Sequence, residues 1–171
     1  MQLRLHISLL TGLLLICSLC KSQSSASSSA LRTQGQLSGI AGIGASGGLR
    51  VGARYNVSDR SSVELTYGFI PFIELAGERA KIIGSAYNYY LNSSKVATGF
   101  ISFLISYNRI ETTSGNFKND LFILSPTVGI DVFSESSFGL FVRMGFATGI
   151  GSASTGKIGF NFDIGTSFRI L

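Results

Sequence analysis

The sequence contains no tryptophan, two prolines, two cysteines and one histidine in 171 residues, and only 13% of it is charged. Both cysteines (Cys17, Cys20) and the histidine (His6) stand near the N-terminus. Once that segment is removed as a secretory leader, the remaining chain has no thiol and no imidazole. Disulfides, thiol nucleophiles, histidine bases and His/Cys metal sites are then excluded. The charged share is about half the roughly 25% usual for soluble domains. After residue 20 there is no apolar run of the 18 or so residues a spanning helix needs. No metal-ligand spacing and no phosphate-binding loop is present, so no cofactor is expected.

What is present is hydrophobic and glycine-rich: mean hydropathy is +0.37, with 21 glycines. Hydrophobicity without a spanning helix points to the other bilayer solution, a closed β-barrel, in which every backbone polar group is paired internally. The net charge of +5 falls to 12 − 9 = +3 when Arg4 and Lys21 leave with the leader. The basic residues are scattered, so no nucleic-acid partner is expected.

The chain divides into three parts. Residues 1–22 read as a signal peptide: Arg4 and His6, an apolar core from Leu9 to Leu19, then small and polar residues. Cleavage after Ser22 or Ala26 both fit, and the alternatives are an uncleaved anchor or lipidation at Cys20. Residues 23–35 are Ser-rich and read as a flexible segment. Residues 36–171 form the barrel.

The terminal stretch Lys157–Leu171 carries the clearest pattern. Ile158, Phe160, Phe162, Ile164, Thr166, Phe168 and Ile170 alternate with Lys157, Gly159, Asn161, Asp163, Gly165, Ser167 and Arg169. A period of two is a strand signal, and its length suits the roughly 9–11 tilted residues of a transmembrane strand. The same alternation predicts strands over Leu49–Val57, Val63–Ile70, Lys81–Leu91, Val96–Arg109, Leu121–Phe133 and Phe138–Gly151. Phe100 and Leu104 blur the polar face of their strand. Pro126 cannot donate to a ladder, which predicts a bulge or local break.

Ser58–Ser61, Asn92–Lys95 and Ser134–Ser137 read as tight polar turns. The connections 71–80, 111–119 and 152–156 are more variable. Short periplasmic turns and longer outer loops are the pattern of outer-membrane barrels. Seven such strands cannot close an antiparallel ring, so an eighth must precede Leu49. Residues 36–45 are the only candidate, despite poor alternation. The expected fold class is all-β: an eight-stranded antiparallel up-and-down transmembrane β-barrel.

The polar face holds mostly Gly, Ser, Thr, Asn and Ala, too small and uncharged for a solvated surface and suited to a narrow lumen. The apolar face of Phe, Ile, Leu, Val and Tyr suits lipid. Tyr55, Tyr67, Tyr87, Tyr89 and Tyr107 suit the interfacial zone. The inward face also carries Arg50, Arg54, Arg143 and Arg169 with Glu64, Asp131 and Asp163. Buried charges must be paired, so these seven residues are expected to form a structural lumenal ion-pair network. The alternative is a proton or ion path.

In GLRVGARYNVSDRSSVELTYG, SPTVGIDVFSESSFGLFVRMGFA and the terminal strand, residues 36–171 resemble the small outer-membrane β-barrel family, of the OmpA/OmpX or opacity-protein type. That family's assembly signal is an alternating apolar strand ending in an aromatic residue. Phe160, Phe162, Ile164, Phe168 and Ile170 match the alternation, and the chain ends in Leu171. The resemblance implies a bacterial outer-membrane location, contact with outer-membrane lipids, and recognition of the terminal strand by the barrel insertion machinery. The expected function is non-catalytic, structural or surface-interacting. The alternatives are a lipid-modifying barrel enzyme and a soluble, secreted lipocalin-like carrier. Porin-like conduction is disfavoured, because eight strands enclose too little space.

Overall fold

The structure, a computed structural model, describes residues 32–45, 48–70, 78–91, 97–112, 118–133, 137–151 and 158–170. These form β1 (Leu37–Gly44), β2 (Gly48–Ser58), β3 (Ser61–Phe69), β4 (Glu78–Tyr90), β5 (Ala97–Thr112), β6 (Lys118–Phe133), β7 (Phe138–Gly151) and β8 (Ile158–Arg169). Each strand pairs antiparallel with the next, and β1 pairs with β8, closing an up-and-down barrel. The leader and most of the Ser-rich segment lie outside the described residues.

The glycine-rich stretch expected as the first strand is β1. It holds full ladders to Arg54 and its neighbours on one side and to β8 on the other. Its weak alternation follows from its neighbours. At Gly42 an added Cβ would lie 2.7 Å from the Ile164 carbonyl oxygen, so the closing seam is held tight by small residues.

The largest differences from the expected boundaries are at the loop end of β4, β5 and β6. The connection expected over 71–80 ends earlier, because β4 begins at Glu78. The polar loop expected over 111–119 is shorter, because β5 runs to Thr112 and β6 starts at Lys118. Cross-strand pairs such as Ile110↔Asn119 and Arg79↔Glu111 continue the ladders there. Polarity at a strand end marks the edge of the apolar belt, not the end of pairing. The turn at 92–95 lies outside the described residues.

Pro126 does not end its strand. It stays in register with Phe103 of β5. On the β7 side the ladder skips from Leu124↔Thr148 to Thr127↔Gly145 without changing register. Phe146 therefore stands opposite Pro126, and its carbonyl accepts a hydrogen bond from Ser125 Oγ at 2.7 Å. The hydroxyl replaces the donor that proline lacks. The ladder to β7 is thus locally broken at Ser125–Pro126, as expected, without a bulge, and a register shift falls between Asn56 and Ser58, at the β2–β3 turn.

The two faces sort as a bilayer protein requires. Outside are Leu65, Phe146, Phe160 and Ile158, more than three-fifths exposed, along with Ile101, Phe103, Val128 and Ile130. Inside are buried Arg, Glu, Asp, Asn, Ser and Thr side chains. A soluble carrier has the opposite sorting. Among the described residues no helix is long and apolar enough to cross a membrane.

The lumen is not filled by small residues alone. Tyr90, Phe100, Phe141, Ile82 and Leu104 are also buried there. Space for two of the rings comes from the glycine directly opposite each. Gly129 pairs with Phe100 and Gly165 with Phe141. A Cβ at either glycine would sit 2.5 Å from the facing ring carbon Cζ.

Candidate functional site: an alternating charge chain across the lumen

Strand pairing delivers some of the charged side chains directly beside each other. Arg54 of β2 faces Glu64 of β3, and Arg143 of β7 faces Asp163 of β8. Closure delivers the others across the barrel. Arg54 Nη1 donates to Asp131 Oδ2 of β6 at 2.7 Å, and Arg143 Nη1 donates to Glu64 Oε2 at 3.1 Å. Those contacts join β2 to β6 and β3 to β7, strands on opposite sides of the ring. Arg50 reaches Asp163, which also accepts from Arg143 Nε at 2.5 Å.

The ion pairs form one alternating sequence: Arg50, Asp163, Arg143, Glu64, Arg54, Asp131, Arg32. Each carboxylate lies between two guanidiniums. All seven side chains are at most 6% exposed. Three of the guanidiniums, those of Arg50, Arg54 and Arg143, lie 5.1–5.9 Å from the ring centre of Phe141. That ring packs the lumen between like charges that would otherwise face one another, and its face attracts cations. Neutral groups add to the shell. Glu64 Oε1 accepts from Arg54 Nε and from Asn88 Nδ2, both at 2.9 Å, and Ser102 Oγ accepts from Arg143 at 3.4 Å.

Of the seven residues expected in the lumen, Arg50, Arg54, Glu64, Asp131, Arg143 and Asp163 converge on this chain. Arg169 has inward parity but stands at the very end of β8, paired with Ser38, where the residue is exposed. Its guanidinium meets the side-chain amide of Gln36 at the mouth. Alternation gives a side chain's direction but not its depth.

Arg32 was not anticipated. It belongs to the segment 23–35 expected to be flexible, yet it is 7% exposed. Residues Thr33–Gln36 form a tight turn, closed by Gln36 N donating to Thr33 O at 3.1 Å. Gly35 sits at its third position with φ of +82°, the value a type II turn demands. The turn folds Arg32 back into the mouth. There its guanidinium stacks 3.7 Å from the Tyr90 ring centre and donates to Thr98 Oγ1 at 3.0 Å and to Asp131. A Gly-Gln step preceded by a basic residue is the only signal the sequence offered. The cavity at this mouth measures about 10 Å³ and is lined by Arg32, Gln36, Arg54, Asn56 and Tyr90, room for about one water.

The site is a desolvated electrostatic brace. Among the described residues no group of His, Cys, Asp or Glu could hold a metal ion.

No family model and no curated protein matches this sequence. Solved structures do. The N-terminal β-barrel domain of Pseudomonas aeruginosa OprF superposes with a TM-score of 0.64 at 12% identity, over 81% of this chain and 99% of that one. Neisserial surface protein A gives 0.55 at 12% identity, over 78% and 94%. The de novo designed TMB2.3 gives 0.51 at 15% identity, over 81% and 97%. At such identities the likeness is one of fold. The fold is that of the small eight-stranded outer-membrane β-barrels.

Proposed function

We propose that this chain is a non-catalytic protein of the bacterial outer membrane with a structural or surface-interaction role. In this reading residues 1–22 are a cleaved leader, and the strand ends at Leu37 and Arg169 face the periplasm. The terminal strand serves the insertion machinery, and the surrounding partners are outer-membrane lipids, with no nucleic acid.

The observation that carries the reading is the inverted sorting of side chains. An apolar exterior surrounds a lumen closed by paired charges. A soluble protein would place those charges in water. A pore would leave the lumen open, and an acyl-transfer enzyme would need a nucleophile and a base within hydrogen-bond reach. The segments Pro71–Ala80 and Glu111–Asn119, with the greatest recognition potential, lie largely outside the described residues.

The test is fractionation of cells expressing the full chain, followed by electrophoresis with and without heating. Recovery in the outer membrane, with a heat-dependent shift in mobility and loss of residues 1–22, is expected. Recovery in the soluble fraction overturns the location. Deacylation of phospholipid or lipid A by the purified barrel overturns the non-catalytic role.

A further inference from the structure

Among the described strand positions, the outward face of the barrel carries its charges in one place. On β1, β2, β3, β7 and β8 every described outward strand position is uncharged, up to Ile43, Leu49, Phe69, Ile150 and Ile158 at the loop end. On the adjacent strands β4, β5 and β6 the outward series instead continues into Lys81 and Arg79, Arg109 and Glu111, and Asp120. Below them the outward belt is apolar: Ala97 to Tyr107 on β5 and Phe122 to Val132 on β6. Each run spans 11 residues, the length that crosses a bilayer at barrel tilt. The charges therefore begin where hydrocarbon gives way to headgroups.

Their arrangement is not neutral. Lys81 is the direct cross-strand partner of Arg109, which puts like charges about 5 Å apart at Cβ and costs stability when nothing lies between them. Arg109 is ion-paired laterally. Its Nε lies 2.8 Å from Glu111 and 4.0 Å from Asp120, and Asp120 also accepts from the Tyr107 hydroxyl at 2.8 Å. Both acids are thus engaged with β5. Arg79 and Lys81 are exposed and form no ion pair among the described residues. Arg79 has Glu111 as its direct cross-strand partner, but Glu111 is drawn to Arg109, so among the described residues Arg79, Lys81 and Arg109 outnumber the acids Glu111 and Asp120 and leave a positive edge at the lipid boundary.

We infer that Arg79 and Lys81, with Arg109 beside them, bind the phosphate headgroup of an anionic membrane lipid in the leaflet at the loop end of the barrel. The inference rests on the transmembrane placement of the belt. Lipid is the occupant that position selects, because the groups face sideways from the barrel at the belt edge. A phosphate held there by its own acyl chains supplies the missing charge and relieves the Lys81–Arg109 repulsion.

The full chain is refolded into phosphatidylcholine vesicles containing a minority of phosphatidylglycerol or of lipid A. Lipid retained after mild detergent extraction is measured by native mass spectrometry. Only protein showing the heat-dependent gel shift is scored, so a failure to insert overturns the transmembrane placement and is distinguished from a failure to bind. The wild type is expected to retain anionic lipid, and the Arg79→Gln/Lys81→Gln variant to lose about thirtyfold in retention, from two removed cations near an anionic surface. Lys81→Arg is expected to retain the lipid. Equal retention by wild type and the double variant overturns the inference. Displacement of the lipid by millimolar inorganic phosphate overturns the choice of lipid as occupant.

Discussion

Arg54 and Asp131 are 77 residues apart in the chain and 2.7 Å apart across the lumen. Their strands, β2 and β6, never touch in the ladder order. The contact exists because the sheet closes and because both side chains point inward at the same depth. It makes the two opposite walls one mechanical unit.

The strongest stability effect is expected at the middle of the chain of charges. Arg143→Ala leaves Glu64 and Asp163 each short of a guanidinium, inside a lumen where Arg143 itself is 0% exposed. A loss of about 3–5 kcal/mol is expected for a buried pair broken on one side. Arg109→Ala, which removes exposed pairs, is expected to cost at most about 1 kcal/mol. Urea midpoints of the folded gel band check both.

Arg54 and Asp131 are expected to be coupled. Arg54→Ala and Asp131→Ala together should cost less than the sum of the two separately, with an interaction energy of roughly 0.5–3 kcal/mol. The double-mutant cycle is read from the same unfolding curves. Additive losses would mean that the contact across the barrel carries no energy.

The bond after Arg32 is expected to resist trypsin in the folded protein, because its guanidinium is held under Tyr90 and beside Asp131. Asp131→Asn removes the charge that holds it. Faster cleavage after Arg32 in that variant, followed by mass spectrometry, is the expected outcome. Equal rates would place the Arg32 side chain outside the mouth.

Gly129→Ala is expected to destabilise the barrel by about 1–3 kcal/mol, the range for overpacking a filled core. The new methyl would press on the Phe100 ring, 2.5 Å away, and on the Val142 carbonyl at 2.6 Å. Gly159→Ala is the control, since nothing lies within 4 Å of its Cβ position, and its folded band should keep the wild-type midpoint.

In planar bilayers the refolded wild type is expected to show no stepped conductance of open-channel size. Arg54–Asp131 and Arg143–Glu64 both cross the lumen, and Phe141 lies between the guanidiniums. Regular steps in the wild type would show that the brace opens.

The fold class, the strand count and the direction of nearly every strand side chain were legible in the residues themselves. Alternation is a local property: Phe160, Asn161, Phe162 and Asp163 reveal their faces without reference to any other strand. Even the weak strand at Leu37–Gly44 followed from parity, since an antiparallel ring of this type needs an even number. The sequence by itself also put Arg50, Arg54, Glu64, Asp131, Arg143 and Asp163 on the inward side. It could not decide which acid meets which base, because that depends on register and closure, which bring together residues up to 113 positions apart, as Arg50 and Asp163 are. Nor could it lift Arg32 out of a Ser-rich stretch or place Phe141 among three guanidiniums. Both depend on the space left inside a closed ring, which exists only once all eight strands have paired.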